Sequence, residues 1–132
     1  MCKLFTDADP ALWASHTRSV RLEGVSTSVR LEGFFWGVLE EIGHRDGLGL
    51  SQLLSRLSRE WVEAGRDPDN FASFLRVCCG RFHALQLAGE VPTQPQESLA
   101  DLDAEGILAR ERQRHAASAG GHAEAASCSA TR

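Results

Sequence analysis

The chain alternates apolar and polar positions over one short stretch and then changes to helical spacing. The hexapeptide SVRLEG occurs twice, at 19–24 and again at 28–33. In each copy valine and leucine fall on one face, while serine, arginine and glutamate fall on the other. This period of two predicts two short strands, which end at glycines and are joined by the link VST at 25–27.

Apolar residues then recur at helical spacing in three segments. The spacing predicts helices over 34–47, 50–64 and 69–88, each closed by a glycine. The aromatic run at 34–36 is expected to be core material. The fold class predicted from these elements is mainly α with a short β-ribbon.

The flanks differ in composition from this central segment. Residues 1–16 contain Pro10 and little periodicity, so they are expected to form a flexible N-terminal arm. Residues 17–88 are expected to be the folded domain. Residues 89–132 form an acidic, Ala/Gly/Ser-rich tail with four Arg and seven Asp or Glu. Such a composition buries little apolar surface, so the tail is expected to be mostly disordered.

Charge and cysteine usage narrow the possible functions. The 132 residues carry a net charge of −4, and the segment 16–89 carries nine Arg against nine Asp or Glu. Any nucleic-acid contact must therefore come from a local patch. The four cysteines form no disulfide framework, which favours a reducing, cytoplasmic location. No apolar run is long enough to span a membrane.

An arginine-bearing strand that precedes two amphipathic helices is an arrangement that can bind DNA. Paired with its copy from a second chain, such a strand forms a two-stranded ribbon that fits the major groove. Outward arginine and serine side chains would then meet base edges, and inward side chains would cover the helices. The first turn of the second of these helices offers free backbone N–H groups to a phosphate.

This order of elements resembles the ribbon-helix-helix DNA-binding family. The residues that carry the resemblance are TSVRLE at 27–32, FFWGVLEEIGHRDG at 34–47 and LSQLLSRL at 50–57. It is closest to a bacterial subfamily with two short SVRL-type strands followed by three helices. The resemblance implies an Arc/MetJ-like homodimer with an additional C-terminal helix. It also implies a transcriptional regulator that binds double-stranded DNA and represses by occlusion. Several dimers could assemble side by side on that DNA.

The resemblance also implies roles for particular residues. Ser28 and Arg30 would read bases from an intermolecular ribbon. Either copy could form that ribbon, and the second is favoured because it directly precedes the first helix. Two arginines of the flanking first strand would reach phosphates: Arg21, which lies in the first copy, and Arg18, which directly precedes it. Ser51 and Gln52 would mark the helix start that binds phosphate through its backbone.

Two features depart from the family pattern, and they leave a second interpretation of the function open. Glu32 is acidic at the end of the ribbon, and the domain carries no net charge. The alternative is a dimeric protein-interaction module, or an antitoxin-like protein whose tail binds a protein partner, with weak or no DNA binding.

Enzyme chemistry has no specific support in the sequence. Cys79 and His83 stand four residues apart on one predicted helix, but a closed metal site needs four ligands. We therefore expect no catalytic residues, no metal and no cofactor.

Overall fold

The chain folds as a β-hairpin followed by helices. A computed structural model describes residues 1–22 and 24–129, of which 121–129 are described by their backbone alone. The strands are β1 (Ser15–Leu22) and β2 (Val25–Glu32). The helices are α1 (Cys2–Thr6), α2 (Gly33–Arg45), α3 (Leu50–Glu63), α4 (Phe71–Leu87) and α5 (Ala104–Ser129). Single 3-10 turns, Pro10–Leu12 and Pro68–Asn70, precede β1 and α4. The predicted fold class, mainly α with a short β-ribbon, is confirmed.

The two SVRLEG copies pair with each other inside one chain. β1 and β2 are antiparallel, with Ser15 opposite Glu32 and Leu22 opposite Val25. The predicted link at 25–27 is part of β2, because its residues continue the period-two alternation. The sequence predicts that the second copy forms the intermolecular ribbon and that the first copy flanks it. A short connection makes pairing within the chain entropically cheap, so the first copy occupies one of its edges. Glu23, which stands between the two strands in the sequence, lies outside the described residues.

The core lies between the inner face of this hairpin and the helices. Its fully buried side chains come from β2, α2, α3 and α4: Leu31, Leu39, Leu54, Leu75 and Cys79. Val20 and Val29 are also buried, at 4% and 5% exposure. The apolar face predicted for each strand is therefore the face that meets the helices.

The aromatic run at 34–36 divides between core and surface. Trp36 is buried, and its indole Nε1 donates a hydrogen bond to the His16 backbone oxygen at 2.9 Å. Phe34 is 43% exposed, so the expectation that it would be core was wrong. Three consecutive residues cannot share one face of a helix. Phe34 lies at the edge of the core, between the N-terminal arm and the His83 ring of α4, whose centroid is 6.2 Å away.

The N-terminal segment, predicted to be a flexible arm, contains short elements of regular structure. The Asp9 side chain accepts a hydrogen bond from the Ala11 N–H and begins the turn Pro10–Leu12. Gly33 N–H then donates to the Ala14 oxygen at 2.8 Å. A Cβ on Gly33 would lie 2.5 Å from the Ala11 oxygen, so the arm's backbone rests directly against the start of α2.

The segment after α4, the first part of the tail predicted to be mostly disordered, is bonded to the domain. Arg45 is buried, and its guanidinium donates to the backbone oxygens of Pro92 and Glu97, at 2.6 and 3.1 Å. Leu99 N–H donates in turn to the Arg45 oxygen. These bonds hold residues 91–99 on the domain, although the segment itself is rich in proline and glutamine.

Helix α5 belongs to a separate compact unit that begins at Asp101, the first unit being Met1–Ala100. The Asp103 carboxylate accepts from Gly106 N–H and caps the first turn. Alanine, the strongest helix former, recurs through the helix, which explains helical backbone despite few apolar anchors. Residues 130–132, the end of the predicted tail, lie outside the described residues. No helix in the described part of the chain is long and apolar enough to cross a membrane.

Candidate nucleic-acid interface

The outward face of the hairpin is a continuous polar surface. Ser19 of β1 lies opposite Ser28 of β2. Arg21 comes two residues after Ser19, near the turn, and Arg30 comes two residues after Ser28, near the open end of the hairpin. All four side chains are exposed. The pleat that buries Val20, Val29 and Leu31 forces these alternate residues outward. Three of the predicted site residues, Ser28, Arg30 and Arg21, are thus brought onto one face.

This outward face is positively charged. Within residues 1–22 and 24–120, no carboxylate lies within ion-pair distance of Arg21 or Arg30. Ser and Thr side chains fill the positions between them, and the Glu32 carboxylate at the end of β2 acts on Arg30 only from beyond ion-pair distance.

Glu32, the acidic residue at the end of the ribbon, has the parity of Arg30, and its carboxylate is bound by α4. Its carboxylate pairs with Arg76 of α4 through two bonds, Nε to Oε2 at 3.0 Å and Nη2 to Oε1 at 3.2 Å. The hydrogen bond from Arg76 is the largest of the effects that hold the pKa of Glu32 below its usual range. The carboxylate is therefore ionised at neutral pH, and its charge is balanced by an adjacent guanidinium.

Arg18 lies on the opposite face from Arg21 and Arg30. It shares the parity of Val20, and its Nη2 donates to Glu40 Oε1 of α2 at 3.0 Å. Its guanidinium also lies over the Trp36 ring, 5.2 Å from the centroid. The structure therefore does not bring Arg18 together with the other predicted DNA contacts.

Ser51 and Gln52 lie in the first turn of α3, as predicted. Gly49 is the N-cap residue, and its N–H donates to the Gln52 Oε1 atom at 2.9 Å. The Gln52 side chain is thereby used for capping. Because glycine has no side chain to accept from the first turn, the N–H groups of Leu50, Ser51 and Gln52 have no intrahelical acceptor.

Two arginines that the sequence reasoning missed extend this surface. Arg56 and Arg59 line a shallow cleft of about 310 Å³ together with Ser51, Gln52 and Ser55. Ser55 Oγ donates to the Arg21 oxygen at 3.2 Å, which ties this part of α3 to β1. The available signal was the spacing of Gln52, Arg56 and Arg59, which places them on one side of a helix.

One edge of β2 pairs with β1, and the opposite edge has no strand beside it in the described part of the chain. The bond from Gly33 N–H to the Ala14 oxygen marks one hydrogen-bonded pair of the ladder, and such pairs alternate along an antiparallel sheet. The backbone N–H and C=O groups of Ser26, Ser28 and Arg30 therefore point away from β1. Beside this edge lies a cleft of about 520 Å³, bounded by Val29, Val62 and Phe71 among others.

The cysteine and histidine pair of α4 is engaged in packing. Cys79 Sγ lies 3.7 Å from the Phe35 oxygen, to which it donates, and burial raises the pKa of its thiol to about 12. His83 Nδ1 meets Gln86 Oε1 at 3.2 Å. No group of three metal-ligating side chains occurs among the residues whose side chains are described.

Comparison with known proteins places this geometry in a family. A family model described as a ribbon-helix-helix domain matches residues 15–82, from the start of β1 into α4. The chain belongs to the ribbon-helix-helix family. The resemblance drawn from the sequence is thereby confirmed.

A solved structure shares the fold of this chain. The chain is similar to an uncharacterized protein from Bordetella pertussis Tohama I, with 47% identity and a TM-score of 0.77. The likeness covers 82% of this chain and 86% of that chain. No curated protein matches the sequence.

Proposed function

We propose that this ribbon-helix-helix protein is a sequence-specific DNA-binding transcriptional regulator that acts as a homodimer, most simply as a repressor by occlusion. The observation that carries the proposal is the outward face of the hairpin. There, Arg21 and Arg30 stand among exposed serines with no carboxylate at ion-pair distance in the described part. The net charge of the whole chain hides this local arrangement.

The homodimer follows from the free edge of β2. Unpaired strand edges in a folded protein are usually covered or used for pairing. A second copy of β2, antiparallel to the first, would meet the outward backbone groups of Ser26, Ser28 and Arg30. The cleft beside the edge would receive apolar side chains from that second strand.

The resulting sheet would have four strands, with the two β2 strands in the middle. At about 4.8 Å between neighbours, four strands span about 14 Å, close to the width of the major groove at about 12 Å. The central strands would enter the groove and the outer strands would meet its walls. Arg30 would therefore read base edges, and Arg21 would contact phosphates.

The first turn of α3 would add a phosphate contact. Its free N–H groups and the positive end of the helix dipole favour an anion, and Arg56 and Arg59 stand beside them. These contacts would set the register of the dimer on the duplex without reading sequence.

The test is a fluorescence anisotropy titration with the DNA upstream of the protein's own gene and a scrambled duplex, over a salt series. Wild type should prefer the upstream DNA, and affinity should fall as salt rises. Arg30→Ala should cost about 1–3 kcal/mol of binding free energy. Arg112→Ala, which removes an exposed arginine from α5, is the matched control and should bind as wild type does.

Absence of binding to either duplex at low salt would contradict the proposal. It would favour the alternative, a dimeric interaction module or antitoxin-like protein with a protein partner.

A further inference from the structure

The N-terminal arm and the start of α2 enclose an apolar cavity that the proposed function does not use. Its volume is about 610 Å³, and its apolar walls come from Phe5, Leu12, Trp13, Phe34 and Phe35. This volume lies within the range of small-molecule sites, about 300–1,000 Å³, which are typically apolar with a few polar groups.

The aromatic walls are exposed to an extent that needs explanation. Trp13 is 63% exposed, Phe5 60% and Phe34 43%. Clustered apolar surface of this kind on a folded domain usually marks a site of interaction. Phe34 and Phe35 present one ring edge-on to the other, with centroids 5.5 Å apart.

The cavity is held in place by the contacts that seat the arm. Gly33 N–H bonds to the Ala14 oxygen, and the Asp9 side chain fixes the turn before Trp13. Because Gly33 has no side chain, the arm lies directly on α2, and Trp13 of the arm and Phe34 of α2 line the same cavity.

One wall of the cavity carries the guanidinium of Arg76, which has N–H donors that its ion pair does not use. The Arg76–Glu32 pair lines the cavity, and the pair uses Nε and Nη2 of the guanidinium. A guanidinium has five N–H donors, so those of Nη1 remain for another acceptor. Its planar fork suits a carboxylate or sulfonate.

We propose that this cavity binds a flat aromatic acid, whose ring lies between Trp13 and Phe34 and whose anionic group bonds to Arg76. Ring stacking matches the aromatic walls, and the anionic group would accept from the Nη1 donors of Arg76, which its pair with Glu32 leaves unused. The site adjoins the end of β2 but does not depend on DNA binding.

The experiment titrates the full chain, without DNA, with anilinonaphthalene sulfonate, an aromatic anion whose fluorescence rises in apolar sites. N-phenylnaphthylamine, which has the same ring system without the sulfonate, is titrated in parallel. The proposal expects saturable binding of one sulfonate probe per chain. Phe34→Ala and Trp13→Ala should each weaken both probes by about tenfold, since each removes a stacking wall.

Arg76→Gln separates the charge from the rings. It should weaken the sulfonate probe by about tenfold and leave the neutral probe within about twofold, because only the sulfonate uses the charge-assisted bonds. Leu87→Ala, an exposed apolar residue of α4 away from the cavity, is the matched control and should change neither titration.

Two results would overturn the proposal. One is probe binding that is indifferent to Phe34→Ala and Trp13→Ala. The other is a shift of oligomeric state in those variants by sedimentation velocity, which would show that a second copy covers the cavity. Phe34 and Trp13 lie outside the core, so these variants should fold even if Arg76→Gln does not. Because no DNA is present, the outcome is independent of the regulator proposal.

Discussion

The two copies of SVRLEG have the same six residues and different surroundings. Leu31 of the second copy is fully buried, whereas Leu22, its counterpart in the first, is half-buried. The second copy runs directly into α2, and its glutamate pairs with Arg76. The first copy ends at the hairpin turn. The position of each copy relative to the helices, and not its sequence, therefore decides what its side chains do.

The copies also differ in which edge of the sheet they present. Ser19 and Ser28 lie opposite each other in a pair whose backbone N–H groups point outward. The N–H of Ser28 faces the edge that we propose to be the dimer interface. The N–H of Ser19 faces the outer edge of β1.

Proline substitution at these two serines should give the largest difference in behaviour between the two copies. Proline removes the N–H without disturbing the ladder inside the hairpin, and it is tolerated at sheet edges. Ser28→Pro should convert the dimer to a monomer at micromolar concentration, and Ser19→Pro should leave it dimeric. Sedimentation velocity measures this directly. The same oligomeric state for both variants would exclude pairing through β2.

Alanine substitution of Leu31 and of Leu22 tests the difference in how deeply the two copies are packed. Leu31→Ala should lower the free energy of unfolding by about 2–5 kcal/mol, since the site cannot collapse around the cavity. Leu22→Ala should lower it by about 1 kcal/mol, because less apolar surface is lost from a half-buried position. Urea denaturation at a fixed protein concentration gives both values. Equal losses would show that both copies meet the core alike.

The smallest effect concerns the glutamate of the second copy. Arg76 holds the pKa of Glu32 below its usual value of 4.5. The ion pair therefore stabilises the fold fully above that usual value, and the stabilisation is lost as pH falls through it toward the lowered pKa. Glu32→Gln should flatten the pH dependence of stability below about pH 5, measured as urea midpoints. An unchanged profile would mean that the pair does not contribute.

Much of the fold was predictable from the sequence because the apolar spacing is regular. The three helices predicted over 34–47, 50–64 and 69–88 correspond to α2, α3 and α4. The inner and outer faces of the strands also followed from alternation. Pairing of the copies inside one chain did not, because a repeated strand sequence fits its own copy and a second chain equally well.

The candidate site was predictable only where local periodicity decides it. Ser28, Arg30 and Arg21 were placed outward by the alternation. The same alternation puts Arg18 on the face of Val20, a signal that the sequence reasoning overlooked. The burial of Arg45 and the cavity beside Phe34 depend on contacts between residues far apart in the chain, which no local pattern contains.

The central claim is that the arginines of the two identical copies act differently on DNA, with Arg30 reading bases and Arg21 holding phosphate. The most direct measurement is the anisotropy titration of Arg30→Ala and Arg21→Ala against upstream and scrambled duplexes over a salt series. Arg30→Ala should lose the preference for upstream DNA. Arg21→Ala should keep that preference, bind both duplexes more weakly and reduce the salt slope by about one. Two variants that lose the same property, or two that lose nothing, would contradict the account.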